Sequence, residues 1–321
     1  MSTVNVLFEL GTEELPATAV TRFPQQLIQQ LGSLLEQKFL GHLEIKVYIT
    51  PRRIAVYIPE LLAQQPELSL ERQGPQQKVA FNDKDEPTPA GLGFARSCNI
   101  EPSQLKNYLE NGRLVYRYNQ PGKSTEELLP EILTTVVNSL QLGKTMRWGS
   151  GKQSFVRPIR WAMLWFDDHA LEGEIFGLRL QNFTYGHRFL APAAISLTHA
   201  NNYLEQLIQQ GKVMADQEER KKKIIEQLQV LPKQHAAQAI IDESLVDEVS
   251  GLVEWPVALI GTFSKDFLQI PAEALISAMQ QHQKSFPLVD ANQDLLPYFI
   301  FISNLASKNP TQVINGNERV M

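Results

Sequence analysis

Apolar and polar residues along this chain recur with the periods of strands and helices, and those periods predict its elements. Residues 4–10 alternate as a strand does, and Pro16 then precedes a helix whose large apolar residues recur every three or four positions. Residues 45–49 and 54–58 alternate again on either side of a short polar break, which predicts paired strands. We therefore expect an αβ unit over residues 1–62.

The pattern then weakens before it resumes. Residues 63–91 are rich in Gln, Pro, Glu and Asp with few large apolar side chains, so a long loop or domain crossover is expected there. Capping boxes at Ser124 and Asp216 predict the starts of two later helices. Strands are predicted over residues 114–118, 155–166, 175–180, 255–260, 284–289 and 298–302, and helices are predicted to end at residues 94, 140, 228 and 281.

This mixture of strands and helices predicts an α+β fold with several domains, in which helices pack on mixed or antiparallel sheets. A single core stops growing near this length of 321 residues, which also favours more than one domain. We expect an N-terminal αβ unit over residues 1–62, then a central α+β domain over residues 63–200 that carries a basic, Trp-rich segment. A C-terminal α+β region is expected over residues 201–321.

Composition narrows the class of protein. The chain is 43% apolar and 20% charged, which fits a globular protein and excludes collagen-like, disulfide-stapled and wholly disordered chains. A net charge of -5 argues against a strongly basic nucleic-acid binder, so any RNA contact has to come from a local patch. The single Cys98 forms no internal disulfide, which suits a reducing compartment. We expect neither a membrane span nor a leader peptide.

The strongest physical signal is a basic segment between Gly143 and Phe166. It has no acidic residue and contains three of the four tryptophans. Contact with phosphates and stacking on bases need this combination. The alternative is that the tryptophans belong to a core strand and the arginines pair with carboxylates, with Arg160 pointing away from the face of Trp161. The sequence leaves both interpretations open. The cations of this segment are Lys144, Arg147, Lys152, Arg157 and Arg160.

Other chemistry-bearing motifs are weaker. Two Gly-Lys-[Ser/Thr] triplets lack the first glycine and the preceding strand that a phosphate-binding loop needs. The histidines have no metal-ligand spacing, so no metal site is expected. His187 is the candidate functional histidine, although a structural histidine that is hydrogen-bonded at a strand end explains its position as well. Residues 220–223 form a basic run behind two glutamates, which we interpret as a solvated helix face.

Several short strings occur in order over nearly the whole chain: FELGTEELP (8–16), TPRR (50–53), PAGLGFAR (89–96), MRWG (146–149), FVRP (155–158), GHRF (186–189), LVEWPV (252–257), HQKSF (282–286), FISN (301–304) and GNE (316–318). Together they closely resemble the beta subunit of the bacterial-type heterotetrameric glycyl-tRNA synthetase. Such subunits are longer, and the chain stops in polar sequence. We therefore expect a truncated chain that lacks the family's HD-like and anticodon-binding domains.

The resemblance implies a part in the ATP-dependent attachment of glycine to tRNA-Gly in the cytoplasm. It implies two partners, tRNA-Gly and an alpha subunit that holds the adenylation site, and neither DNA nor a membrane. It also implies domains similar to the auxiliary domains of the phenylalanyl-tRNA synthetase beta subunit. The chain has no HIGH-like or KMSKS-like string and no class II core motifs. We therefore expect this fragment alone to be inactive and to hold no cofactor, with ATP and Mg²⁺ used at the alpha subunit.

Candidate sites follow from the cations and from His187, and no catalytic or metal-binding residue is expected. If His187 lay in a cleft beside another titratable group, an editing-type hydrolase acting on mischarged tRNA would be favoured. If carboxylates neutralised every cation of residues 144–160, a pure assembly scaffold would be favoured. The candidates for contact with the tRNA backbone are Lys144, Arg147, Arg157, Arg160 and Arg188.

Overall fold

The computed structural model describes residues 2–141, 143–149, 151 and 153–321. Lys152 of the basic segment lies outside the described residues. Contacts divide the chain into two compact units, of which the larger combines Met1–Ala63 with Glu126–Met321 and the smaller is Gln64–Thr125. These units cut the chain at other positions than the three expected domains, and that three-part division stays a prediction.

The elements follow one another in a mixed order. The strands are β1 (Thr3–Thr12), β2 (Lys46–Thr50), β3 (Arg53–Leu62), β4 (Leu68–Gln76), β5 (Leu109–Glu110), β6 (Arg113–Gln120), β7 (Met146–Arg147), β8 (Ser154–Phe155), β9 (Ile159–Phe166), β10 (His169–Ala170), β11 (Glu174–Ile175), β12 (Leu178–Gln181), β13 (Phe183–Tyr185), β14 (Ala194–Ser196), β15 (Gln238–Ala239), β16 (Val257–Thr262), β17 (Phe286–Val289) and β18 (Leu295–Ser303). The α-helices are α1 (Ala17–Gln37), α2 (Gln77–Ala80), α3 (Pro89–Cys98), α4 (Thr125–Ser139), α5 (Tyr203–Gln209), α6 (Gln217–Val230), α7 (Glu243–Ser250), α8 (Ala272–Gln281) and α9 (Pro310–Glu318).

A seven-stranded sheet forms the centre of the larger unit. Its order is β11–β12–β9–β1–β3–β2, with β10 also paired to β9. Strand β1 runs antiparallel to both of its neighbours, whereas β12 and β9 are parallel. The hairpin β2–β3 forms at the predicted place, with Ile49 opposite Ile54. The central position of β1 brings the FELGTEELP string between the TPRR hairpin and the basic, Trp-rich segment.

Both faces of the central sheet are buried. Helix α1 places Phe23, Leu27 and Leu31 against one face, at the spacing of one stripe along a helix, and the apolar side chains of α4 join the same core. On the other face, Met163 and Trp165 pack with residues that include α5. Burial on both faces explains why the inner part of β1 is enclosed at every position.

A second, four-stranded antiparallel sheet lies in the C-terminal part of the larger unit, in the order β15–β17–β18–β16. Helices α6 and α7 pack with it around Phe286 and Ile300. Helix α6 begins where its capping box predicts, because the Asp216 carboxylate accepts from the backbone N–H of Glu218 at 2.9 Å. The prediction of an α+β fold with mostly antiparallel sheets and packed helices is confirmed.

The smaller unit corrects the prediction of a long loop over residues 63–91. Its three-stranded antiparallel sheet has the order β4–β6–β5, and β4 occupies Leu68–Gln76 inside the supposed loop. Most side chains of β4 are exposed or half-buried, so an apolar period could not reveal this strand. Backbone hydrogen bonds to β6 form it instead, because a sheet edge needs no apolar side chains to complete its ladder.

The predicted strand over residues 155–166 is also corrected. It is broken into β8 and β9 around Pro158, which has no N–H to donate to a ladder. Gly11 then pairs with Trp161 while Thr12 pairs with Ile159, so Arg160 is an extra residue on β9 and forms a β-bulge. A bulge changes the direction of a side chain. The usual alternation of side chains along a strand therefore cannot be used to infer the direction of Arg160 from that of Trp161.

Candidate functional site

The polypeptide turns between β2 and β3 at Pro51 and Arg52, and the FELGTEELP string holds this turn in place. The backbone N–H of Thr12 donates to the carbonyl of Arg52 at 2.8 Å, and that of Leu15 donates to the carbonyl of Pro51 at 2.6 Å. Two strings that are far apart in sequence therefore meet at one point. The turn carries two consecutive arginines whose side chains enter different surroundings.

Arg53 is fully buried and lies at the centre of a polar cluster. Its Nε donates to Oε1 of Glu254 at 3.2 Å, and its Nη2 donates to the carbonyl of Tyr185 at 2.9 Å. The carboxylate of Glu9 lies 3.8 Å from Nη1, and Thr184 accepts from Nη1 at 3.4 Å. We call these groups, together with Thr50, the buried network.

The two carboxylates of the buried network have hydrogen bonds of their own. Thr50 donates its hydroxyl to Glu254 at 2.7 Å. Thr184 donates to Oε1 of Glu9 at 2.6 Å, and the indole N–H of Trp161 donates to the same oxygen. The ring of Trp161 then lies against Gly11, where an added Cβ would come within 1.9 Å of it. Hydrogen bonds and charge pairing together make this burial of charge tolerable.

Electrostatic interactions in the buried network favour the ionised forms of Arg53 and Glu254. Burial by itself lowers the pKa of Arg53, but Glu254 and Glu9 outweigh that effect, so the pKa is raised above its ordinary value. Burial by itself raises the pKa of Glu254, but the charge of Arg53 and the hydrogen bond from Thr50 outweigh it, so this pKa is lowered. Glu254 and Arg53 thus form a charged pair inside the protein.

Arg220 corrects the interpretation of the basic run at residues 220–223 as a solvated face. Its side chain is fully buried, whereas Lys222 and Lys223 are exposed. Among the described residues, the guanidinium forms no ion pair with a carboxylate and donates to backbone carbonyls, and burial lowers its pKa to about 10. Glu218, one of the two glutamates before the run, forms an ion pair with Lys221 at 2.9 Å. The acceptors of Arg220 are the carbonyls of Ile49 (2.5 Å), Met214 (2.6 Å), Ala215 (2.8 Å) and Ser250 (3.1 Å).

His187 lies just after β13 and is buried, with 1% of its surface exposed. Its Nδ1 accepts from the backbone N–H groups of Phe189 and Leu190, each at 3.2 Å, so the ring holds a tight turn. Gly186 is required beside it, because a Cβ there would come within 2.2 Å of a backbone oxygen. The turn presents Arg188 and the 69% exposed Phe189 on the surface.

Arg52, the first of the two turn arginines, lines an open cleft of about 410 Å³, which we call the arginine cleft. Arg188 pairs with Glu13 at 2.5 Å and with Glu14 at 3.4 Å, and Arg160 lies 3.5 Å from Glu13. Among the described residues, no group accepts a hydrogen bond from the Arg52 guanidinium, and burial lowers the pKa of Arg52. The lining residues are Glu13, Arg52, Arg160, Trp161, Tyr185, Gly186, Arg188 and Pro192.

The structure thus brings two of the predicted tRNA contacts, Arg160 and Arg188, into one cleft. The other three are not among its lining residues. Lys144, just before the short β7–β8 hairpin, and Arg147, within it, are both exposed. Arg157 is half-buried and donates a hydrogen bond of 2.9 Å to the carbonyl of Val156. No described carboxylate forms an ion pair with any of these three. Arg160 is exposed and Trp161 is buried, and both line the cleft next to the bulge, so the expectation that they point apart stays a prediction.

Similarity to known proteins identifies the family of this chain. A model of the glycyl-tRNA synthetase beta subunit matches residues 6–321. The chain belongs to the glycyl-tRNA synthetase beta subunit family. It is similar to the glycine–tRNA ligase beta subunits of Coxiella burnetii (43% identical over 323 residues), Hahella chejuensis (44% over 324) and Colwellia psychrerythraea (39% over 324). These alignments cover 100% of this chain and 47% of each relative, so the chain spans about half the length of the curated relatives it matches.

The family expected from the short strings is therefore confirmed, and the structure shows why several strings belong together. FELGTEELP supplies Glu9 and Glu13, TPRR supplies both turn arginines, and LVEWPV supplies Glu254. The strings by themselves do not reveal that Arg52, Glu13 and Tyr185 belong to one site. Each of these three residues is charged or aromatic and lies at or beside the end of a strand. That position alone does not show which strand ends meet in the fold.

The described residues offer neither a membrane-spanning helix nor a cluster of metal ligands. None of the helices there combines the length and the apolar character that crossing a membrane requires. In that same part of the chain, no group of three or more His, Cys, Asp or Glu side chains is placed to hold a metal ion. Cys98 is a buried free thiol.

Proposed function

We propose that this chain is the tRNA-binding and assembly portion of a glycine–tRNA ligase beta subunit. It takes part in the ATP-dependent attachment of glycine to tRNA-Gly in the cytoplasm, together with an alpha subunit that holds the adenylation site and uses ATP with Mg²⁺. Membership of the family supports the reaction. The chain spans about half the length of its relatives. We therefore infer its own part in that reaction from the charges and clefts on its surface.

The observation that carries tRNA binding is the group of cations without carboxylate partners. In an acidic chain, Lys144, Arg147 and Arg157 form no ion pair with any described carboxylate. A pure scaffold would be expected to neutralise such charges, whereas a polyanion binds to them and releases its counterions. This arrangement favours contact with the tRNA backbone over the scaffold alternative.

The editing alternative receives less support. It requires His187 in a cleft beside another titratable group, but the ring is buried and its Nδ1 is engaged by two backbone N–H groups. The residues on either side of it line the arginine cleft, and His187 does not. A histidine that holds a turn explains these contacts without a catalytic role.

Salt dependence of tRNA-Gly binding tests the proposal. Each phosphate contact contributes about 0.7 to 0.9 to the slope of log affinity against log salt. Arg147→Ala should lower that slope by about one unit and weaken binding uniformly across tRNA sequences. Arg22→Ala, which removes an exposed arginine of α1, is the matched control and should keep the parental slope. Parental slopes in Lys144→Ala, Arg147→Ala and Arg157→Ala would together exclude this tRNA contact.

A second measurement separates binding from chemistry. The proposal assigns adenylation to the alpha subunit, so the purified chain should show no glycine-dependent exchange of pyrophosphate into ATP. Addition of the alpha subunit provides the positive control. Exchange by the chain alone, above the background of a mock purification, would overturn this division of roles.

A further inference from the structure

We propose that the arginine cleft binds one unpaired nucleotide of RNA, with its phosphate on Arg52, Arg160 and Arg188 and its base against Tyr185. This inference rests on the proposed function, because it names a place where the bound RNA is recognised. The cleft is a separate site. The exposed cations could contact the tRNA backbone without it.

Charge in the cleft is incompletely balanced. Arg188 pairs with Glu13 and Glu14, and Arg160 approaches Glu13, so these two carboxylates serve those two guanidiniums. Arg52 forms no ion pair with a described carboxylate, although the charge of Glu254 in the buried network acts on it. Arg52 is half-buried, and its enclosed Nε has no acceptor among the described residues. Its two terminal nitrogens also donate to no described residue and are not enclosed, so they are the donors that a ligand in the cleft can reach. Leaving a buried donor unsatisfied costs free energy in the absence of a ligand. A phosphodiester carries one negative charge and offers the acceptors that Arg52 lacks.

The other two arginines are accessible to the same phosphate. The side chain of Arg160 is 62% exposed and that of Arg188 is 37% exposed, although both are near Glu13. A guanidinium presents several N–H donors in one plane, so each arginine has donors left after its ion pair to Glu13. Both arginines therefore keep donors for a ligand while they are paired with Glu13.

An aromatic wall distinguishes this cleft from a site for a small anion. Tyr185 lies edge to face with Trp161 at 5.0 Å between ring centroids, and both side chains line the cleft. The buried network holds this wall, since Arg53 binds the carbonyl of Tyr185 and Glu9 binds the indole of Trp161. A cleft of about 410 Å³ is within the size range of small-molecule sites.

These features suit a nucleotide better than an acidic peptide. Unpaired bases bind proteins by stacking on aromatic side chains, while their phosphates bind arginine. An acidic side chain would satisfy the arginines but would leave the aromatic wall without a planar partner. The wall is also fixed before binding, because its supports are fully buried, and such preorganisation favours a specific ligand.

Binding of a fluorescein-labelled single-stranded RNA tetranucleotide to this chain tests the proposal. Arg52→Gln should reduce the affinity about tenfold or more, as expected for the loss of a charge-assisted hydrogen bond. Tyr185→Leu should cause a similar loss through the stacked base. Arg22→Gln, on the exposed surface of α1, should bind like the parent. Thermal unfolding of each variant should show that Arg52→Gln remains folded.

The outcomes separate this proposal from the proposed function. If tRNA-Gly binds with its salt dependence intact but the tetranucleotide does not bind, the cleft site is wrong and tRNA binding stands. If neither RNA binds, both are wrong. Equal affinity of Arg52→Gln and the parent for the tetranucleotide would also overturn the cleft site. So would binding of a fluorescein-labelled poly-glutamate peptide together with no binding of the tetranucleotide, which would make the cleft a protein contact.

Discussion

The buried network and the arginine cleft are built on consecutive residues of one turn, yet they treat charge in opposite ways. Arg53 is enclosed with two carboxylates, a hydroxyl and a carbonyl, whereas Arg52 has no acceptor among the described residues. A charge that is buried beside opposite charges and hydrogen-bond partners contributes to the fold, and one that lines a cleft without an ion pair is available to a ligand. The local sequence Arg-Arg does not distinguish these roles.

The largest effect is expected when Arg53 is removed. Arg53→Met leaves Glu9 and Glu254 buried without their counter-charge, so the free energy of unfolding should fall by about 3 to 5 kcal/mol. Urea denaturation at neutral pH measures this. Arg22→Met, on the exposed face of α1, is the control and should change stability by less than about 0.5 kcal/mol. A comparably small loss for Arg53→Met would show that the network contributes little to the fold.

Glu254 should make the stability of the buried network depend on pH. Its pKa is lower in the folded chain than in the unfolded chain, so it contributes stability above the unfolded value of about 4.3, and that contribution is lost as the pH falls through the folded value. Glu254→Gln should therefore cost about 2 kcal/mol at pH 7, with the difference from the parent shrinking below about pH 4.

Urea titrations of the parent and Glu254→Gln at several pH values test this sign. A deficit that persists undiminished in acid would mean that the charge of Glu254 is not what stabilises the network. The same series with Glu218→Gln, at an exposed carboxylate of α6, should show almost no deficit at any pH.

An intermediate loss of stability is expected when His187, which holds the turn that carries Arg188, is replaced. His187→Asn should reduce stability by about 1 kcal/mol, because an amide oxygen can accept one of the two backbone hydrogen bonds that Nδ1 accepts now. Aminoacylation by the reconstituted full assembly should stay nearly intact. A hundredfold loss of turnover at unchanged stability would instead place His187 in a functional site.

The smallest effect on stability is expected for Arg52. Since its guanidinium makes no hydrogen bond to a described residue, Arg52→Met should change the free energy of unfolding by less than about 0.5 kcal/mol. Thermal and urea unfolding beside Arg53→Met provide the direct contrast. If Arg52→Met were as destabilising as Arg53→Met, both arginines would belong to the fold and the contrast between the two regions would disappear.

Much of the fold was predictable because it depends on local periods. The β2–β3 hairpin and the helix that ends at residue 281 follow from apolar spacing, and α6 follows from its cap at Asp216. The polar edge strand β4 was missed, because backbone pairing rather than side-chain burial forms it. The bulge at Arg160 was missed as well, since it depends on the register against β1.

The candidate site was predictable only in part. The sequence identified Arg160 and Arg188 as cations near aromatic residues, but it gave no indication that they share a cleft with Arg52. It placed Arg220 on a solvated face because glutamates precede it, whereas four backbone carbonyls from separate parts of the chain enclose it. Helical spacing describes neighbours on one helix and says nothing about what packs against them.

By itself, the sequence determined the family, the α+β class and the local excess of cations, because each is written in order along the chain. The tertiary structure alone decided which charges are buried and which are free. Glu254 is separated from Arg53 by 201 positions, and Thr184 from Glu9 by 175. Whether a charge stabilises the fold or faces a ligand depends on partners supplied by distant segments, and only folding brings those segments together.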